Sequence, residues 1–153
     1  MTTIAAAIEG SALGAAARAS PWLYPAANLA HVLGAALLVG ASATFDIAVL
    51  RGKRAAPFVM QAGIPLAALG LAVQLVSGIV LFAAEAGPLV RNPAFLGKLA
   101  LIAIGLANIA VFHLAFGPAL RERRITAGAR ITAGVSLLAW VAALLLGRTI
   151  AYV

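Results

Sequence analysis

The chain has 153 residues, 64% hydrophobic and 10% charged, with eleven basic and four acidic side chains and a formal net charge of +7. A mean hydropathy of +1.08 excludes a soluble domain, because one core of this size cannot remove so much apolar surface from water. The chain has no cysteine, which excludes disulfides, thiolate metal sites and covalent c-type haem attachment while fitting either redox compartment.

Met1 to Ala19 have no basic n-region and carry Glu9 early, unlike a cleaved signal peptide. Ile4, Ile8 and Leu13 are spaced for a short helix lying in the membrane interface; a re-entrant segment or a disordered tail is the alternative. Four apolar blocks follow, at about 21–50, 58–84, 95–120 and 131–153, each long enough to cross a bilayer. They leave almost no chain for a soluble domain. The expected fold class is all-α: one integral-membrane four-helix bundle over residues 1–153, preceded by a short interfacial helix.

The positive charge is concentrated rather than spread. Arg51, Lys53 and Arg54 follow the first span, and Arg121, Arg123, Arg124 and Arg130 follow the third. Alternating helices put both loops on one face, which the positive-inside rule makes cytoplasmic. Both termini and the loop 85–92 then face outward. Charge confined to two short loops argues against a nucleic-acid partner.

The first span opens with Ser20-Pro21-Trp22-Leu23-Tyr24-Pro25, a capping serine before a proline, with two aromatics suited to the interface. Ala26, Ala30 and Gly34, and then Ala36, Gly40 and Thr44, recur at four-residue spacing and allow close helix approach, although alanine is abundant enough for chance matches. His31 lies in this span with Ala27, Asn28, Gly34 and Ala35 one turn away. That face is nearly bare, as a flat macrocycle would need. A histidine hydrogen-bonded to a neighbouring helix is the alternative. Asp46 lies deep on the inner side, where it forms an ion pair with His113 or a loop arginine, or joins His113 in a proton path.

Pro65 predicts a kink in the second span, Gln74 an interhelical hydrogen bond, and Gly87-Pro88 the end of that span. Asn92-Pro93 repeats the cap-then-proline pattern at the third span, which carries Lys98, Asn108 (a second interhelical hydrogen bond) and His113. Spans one and three both run inward. His31 is ten residues past Pro21 and His113 twenty past Pro93, so the two differ by roughly 15 Å in depth at about 1.5 Å per residue. One haem with both histidines as axial ligands is therefore not the favoured geometry.

Arg124-Ile125-Thr126-Ala127-Gly128 recurs as Arg130-Ile131-Thr132-Ala133-Gly134, with no function assigned. In the fourth span, Trp140 and Tyr152 read as packing and interface residues. Arg148 lies late, in the outer half, where it could converge with His31 and Lys98. The two cations could meet haem propionates, Lys98 could ligate iron, or both could snorkel to the outer headgroups. No phosphate loop, carboxylate pair or histidine-rich metal motif is present.

Ser20-Pro21-Trp22-Leu23-Tyr24-Pro25, His31-Val32-Leu33-Gly34, Asn92-Pro93-Ala94-Phe95 with Lys98-Leu99, and Ser136 to Trp140 through Gly147 to Tyr152 resemble a small bacterial family of four-helix membrane proteins, over nearly the whole chain. More distantly, the layout is similar to HemJ-type protoporphyrinogen oxidases and CopD-type copper-resistance membrane proteins. His31 and Lys98-Leu99 match a HemJ-type histidine early in the first span and a lysine opening the third. The later HemJ-type histidine falls near Ile109, one turn before His113. The resemblance implies a bacterial inner-membrane protein holding haem b in its outer half.

The expectation is a haem-b-binding protein for electron transfer. His31 is an axial ligand, Lys98 and Arg148 a second ligand or propionate partners, and His113 a lesser ligand candidate. Its partners are the lipid bilayer, a redox protein in the membrane or periplasm, and further copies of itself. The alternatives are a transporter or channel for a proton, copper or a small solute using Asp46 and His113, or a structural subunit of a membrane complex.

Overall fold

The computed structural model describes residues 2–121 and 124–152, with side chains described over 3–116 and 124–152. Met1, Arg123, Val153 and the side chain of Arg121 lie outside the described residues. Two short helices, α1 (Thr2–Glu9) and α2 (Ala12–Ala19), precede α3 (Leu23–Leu50), α4 (Ala56–Ala84), the single-turn α5 (Ala86–Leu89), α6 (Pro93–Arg121) and α7 (Ala127–Thr149). A 3-10 turn, Ile150–Tyr152, closes the described chain. No strand occurs among the described residues.

Helices α3, α4, α6 and α7 are each long and apolar enough to cross a membrane. Their starts follow local chemistry. Ser20 Oγ accepts from the amides of Trp22 and Leu23, so α3 begins at Leu23 rather than at Pro21. Asn92 Oδ1 accepts from Phe95 N at 3.0 Å and caps α6 ahead of Pro93. Thr126 Oγ1 accepts from Ala129 N, which starts α7 about a turn earlier than its apolar block. Helix α4 runs on through Pro65 as one element.

The interior is rich in small residues, with Leu38, Val49, Phe112 and Trp140 set among them, while most large apolar side chains face outward. Ala56, Ala86, Ala129, Ala133 and Gly34 are buried, while Phe58, Leu114 and Leu138 are about three-quarters exposed or more. In water such a surface would drive aggregation; in hydrocarbon it is the favoured outside. The architecture is that of a multi-pass membrane protein.

Helix α3 packs most extensively on α4, α6 on α7, and α3 also on α7, whereas α4 barely touches α6. The α3–α4 crossing is set by two glycines. A Cβ at Gly70 would lie 2.5 Å from Leu38 N and 2.7 Å from Gly34 O, and one at Gly34 would lie 2.9 Å from Gly70 O. These backbones touch, as small residues at helix crossings permit. Gly40, on the other small-residue stripe, has nothing within 4 Å of its Cβ position. Side chains bridge the wider α3–α6 gap, among them the edge-on Phe45–Phe112 pair at 5.2 Å.

The N-terminal segment folds as two helices rather than one, broken at Gly10-Ser11, with Ser11 capping α2. It covers the end of α4. Arg18 donates to Ala84 O at 3.1 Å and to Glu9 O at 2.8 Å, and Glu9 Oε2 accepts from Gly87 N at 2.7 Å. Each contact neutralises backbone groups left over at a helix end.

Candidate functional site

Helices α3, α4 and α6 bring three polar side chains together in the half of the bundle nearest α5. His31 comes from α3, one turn from the Gly34–Gly70 contact. Ser77 comes from α4, two turns beyond Gly70, and Lys98 from the second turn of α6. The close α3–α4 crossing therefore presses the imidazole against α4. His31 Nδ1 lies 3.0 Å from Ser77 Oγ, and Nε2 lies 3.1 Å from Lys98 Nζ.

The donors and acceptors fix a direction for this chain. An ammonium donates only, so Lys98 Nζ donates to Nε2. Nδ1 then carries the ring proton and donates to Ser77 Oγ. The single hydroxyl hydrogen of Ser77 goes to Val73 O, 2.5 Å away. Gln74 Nε2 donates to His31 O at 2.8 Å, clamping the same turn of α3 from α4. The ring is thereby held in one tautomer, with its Nε2 lone pair aimed at α6.

Glycines clear the space around this chain. A Cβ at Gly78 would stand 3.3 Å from His31 Cε1, and one at Gly147 would stand 3.4 Å from Lys98 Nζ. Phe82 and Phe95 stack at 5.7 Å on the α4–α6 side.

The bare face of His31 is not open space. Helix α4 closes it, because residues small enough to admit a macrocycle also admit a helix backbone. What remains is the direction of Nε2, across the side-chain-filled gap toward Lys98. His31 is thus hydrogen-bonded to two neighbouring helices, as the alternative reading expected.

The other candidates separate. Arg148 is exposed; its Nη2 donates to Tyr152 Oη at 2.6 Å and its guanidinium lies over the same ring. It does not join His31 and Lys98, although its neighbour Gly147 packs on Lys98. His113 is exposed too, with Nδ1 donating to Ile109 O at 2.9 Å. Fifteen residues separate it from Lys98 along α6, roughly 22 Å. Asp46 is buried, with the buried Ser136 of α7 near its carboxyl and no partner on Oδ2. The pairing of Asp46 with His113 does not occur, because His113 turns to the outside of α6. No group of three or more His, Cys, Asp or Glu side chains suited to a metal ion occurs among the described residues.

Gln74 and Asn108 make the interhelical bonds expected of them, Asn108 Nδ2 donating to Thr132 O at 3.0 Å. Neither Ser77 nor Ser136 was among the expected site residues. Gln74, Ser77 and Gly78 do form a polar and small cluster at helical spacing in an otherwise apolar span, which was the available signal. Ser136 carries no comparable mark.

No family model, no curated protein and no solved structure matches the chain.

Proposed function

We propose that the protein is a haem-b-binding membrane protein serving electron transfer, with His31 as an axial ligand and Lys98 as the second nitrogen facing the iron position. One observation carries this reading: Ser77 anchors Nδ1 of His31 and leaves Nε2 directed at Lys98 across the α3–α6 gap. A ligating histidine needs such an anchored far nitrogen to fix its tautomer and raise its basicity.

The donor chemistry suits the group: two nitrogens, His31 Nε2 and Lys98 Nζ, face one another across the α3–α6 gap with Gly78 and Gly147 beside them. At 3.1 Å they are too close to admit an iron between them, so binding would require Lys98 to draw back. Bound there, haem would supply reversible one-electron chemistry at a potential set by its axial ligands and the low dielectric of the bundle. In this reading Ser77 orients the ring, Lys98 would lose a proton and its bond to Nε2 to present a neutral amine, and the α3–α4 crossing holds the ligand helix rigid. Arg148 stays a surface residue of the outer headgroup region, and His113 takes no part.

The same reading has both basic loops in the cytoplasm, both termini outside a bacterial inner membrane, and a redox partner in the membrane or periplasm. Association with further copies belongs to it as well; cross-linking in native membranes tests that part. The visible spectrum of the purified protein, expressed with ample haem precursor, tests the whole. A Soret band lost in His31→Ala supports the proposal, and a colourless protein refutes it.

A further inference from the structure

Asp46 is 3% exposed, in the half of α3 opposite His31, beside the core formed by Val49, Ala56, Phe112, Ala129 and Ala133. Ser136, 6% exposed, offers one hydroxyl, and Oδ2 has no partner. An ionised carboxylate needs donors on both oxygens, and burying one without them is costly. A neutral acid fits what is present: one proton removes the charge that lacks donors, and Oδ2 is left as a carbonyl-type acceptor. Unpartnered acceptors of that kind are the cheaper defect.

Among the described residues the surroundings supply no countercharge. Helix α4 contributes no titratable side chain. On α6, His113 faces outward; on α7, Arg130 reaches over Gly52 in the loop beyond α3, where a Cβ would meet its Nη2 at 2.8 Å. A metal cation would need about six oxygens, whereas Asp46 and Ser136 provide three.

We infer that Asp46 is a proton-binding site of the bundle: it holds a proton on the oxygen beside Ser136 and releases it when water reaches that oxygen, the carboxyl O–H bond breaking, the proton passing to the water and the Ser136 hydroxyl turning to donate to the carboxylate left behind. Ser136 is the positioning residue. Membrane-embedded carboxyls that exchange protons in this way are elements of proton relays. The inference does not depend on what His31 binds.

The chain has four acidic residues, Glu9, Asp46, Glu85 and Glu122, so infrared spectroscopy of the full-length protein in lipid can isolate this carboxyl. At neutral pH, wild type should show a protonated-carboxyl C=O stretch that downshifts in deuterated water, fades on alkaline titration and is lost in Asp46→Asn. Ser136→Ala should keep the band and shift its frequency. The absence of any such band in wild type, its survival in Asp46→Asn, or its erasure by sodium ions at constant pH would overturn the proposal. These outcomes are separate from the Soret test, which reads His31 alone.

Discussion

His31 Nε2 and Lys98 Nζ stand 3.1 Å apart, nitrogen to nitrogen, joining α3 to α6 at one end of the bundle, while the Phe45–Phe112 pair bridges the same two helices about 21 Å away. Lys98→Met keeps the length of the side chain and removes its nitrogen. The haem-loaded variant should retain the Soret band that depends on His31, with its maximum displaced from wild type. An unchanged maximum would remove Lys98 from the site.

Ser77 holds the other face of the imidazole. Ser77→Ala deletes the acceptor of Nδ1–H and leaves the helix packing intact. Haem affinity, measured by titration of the apoprotein, should fall by about 10- to 100-fold, the usual loss when a ligand histidine loses its outer partner. Ser77→Thr retains an acceptor at the same carbon and should restore most of that affinity.

The α3–α4 crossing rests on Gly34 and Gly70. Gly70→Val would force a side chain into Leu38 N and Gly34 O, so the helices must separate, at a cost of about 1–3 kcal/mol. Thermal unfolding in micelles, followed by circular dichroism, should show the loss. Gly40→Ala, at a position with free space, should be neutral or slightly stabilising, since alanine is the better helix former by about 1 kcal/mol.

Arg18 ties α1 and α2 to the end of α4 through two carbonyl oxygens. Arg18→Ala should speed amide hydrogen exchange over residues 3–19 and in α5 while leaving the four long helices unchanged. Equal acceleration in α3 would mean that the N-terminal pair supports the bundle itself rather than capping it.

Spans, caps and the meeting of His31 with Lys98 were legible because each rests on local pattern: apolar length, a Ser or Asn before proline, and depth counted from the span starts. Helix rotation was not legible. His113 and Arg148 sit in spans like any buried candidate, and one is turned outward while the other folds back on Tyr152. With the apolar residues distributed around all four helices, the sequence holds no amphipathic stripe to say which side faces the bundle. The bare face of His31 was misread for a related reason: glycine and alanine mark close approach without saying whether a ligand or a helix makes it, and Gly70 makes it here. Ser136, one serine among many small residues, acquires meaning only from the buried carboxyl opposite it.

The central claim is ligation by His31, and the visible absorption spectrum of the protein purified from haem-replete cells tests it most directly. The account predicts a Soret band in wild type, its loss in His31→Ala and its retention in His113→Ala. A colourless wild type, or a band that survives in His31→Ala and disappears in His113→Ala, would contradict it.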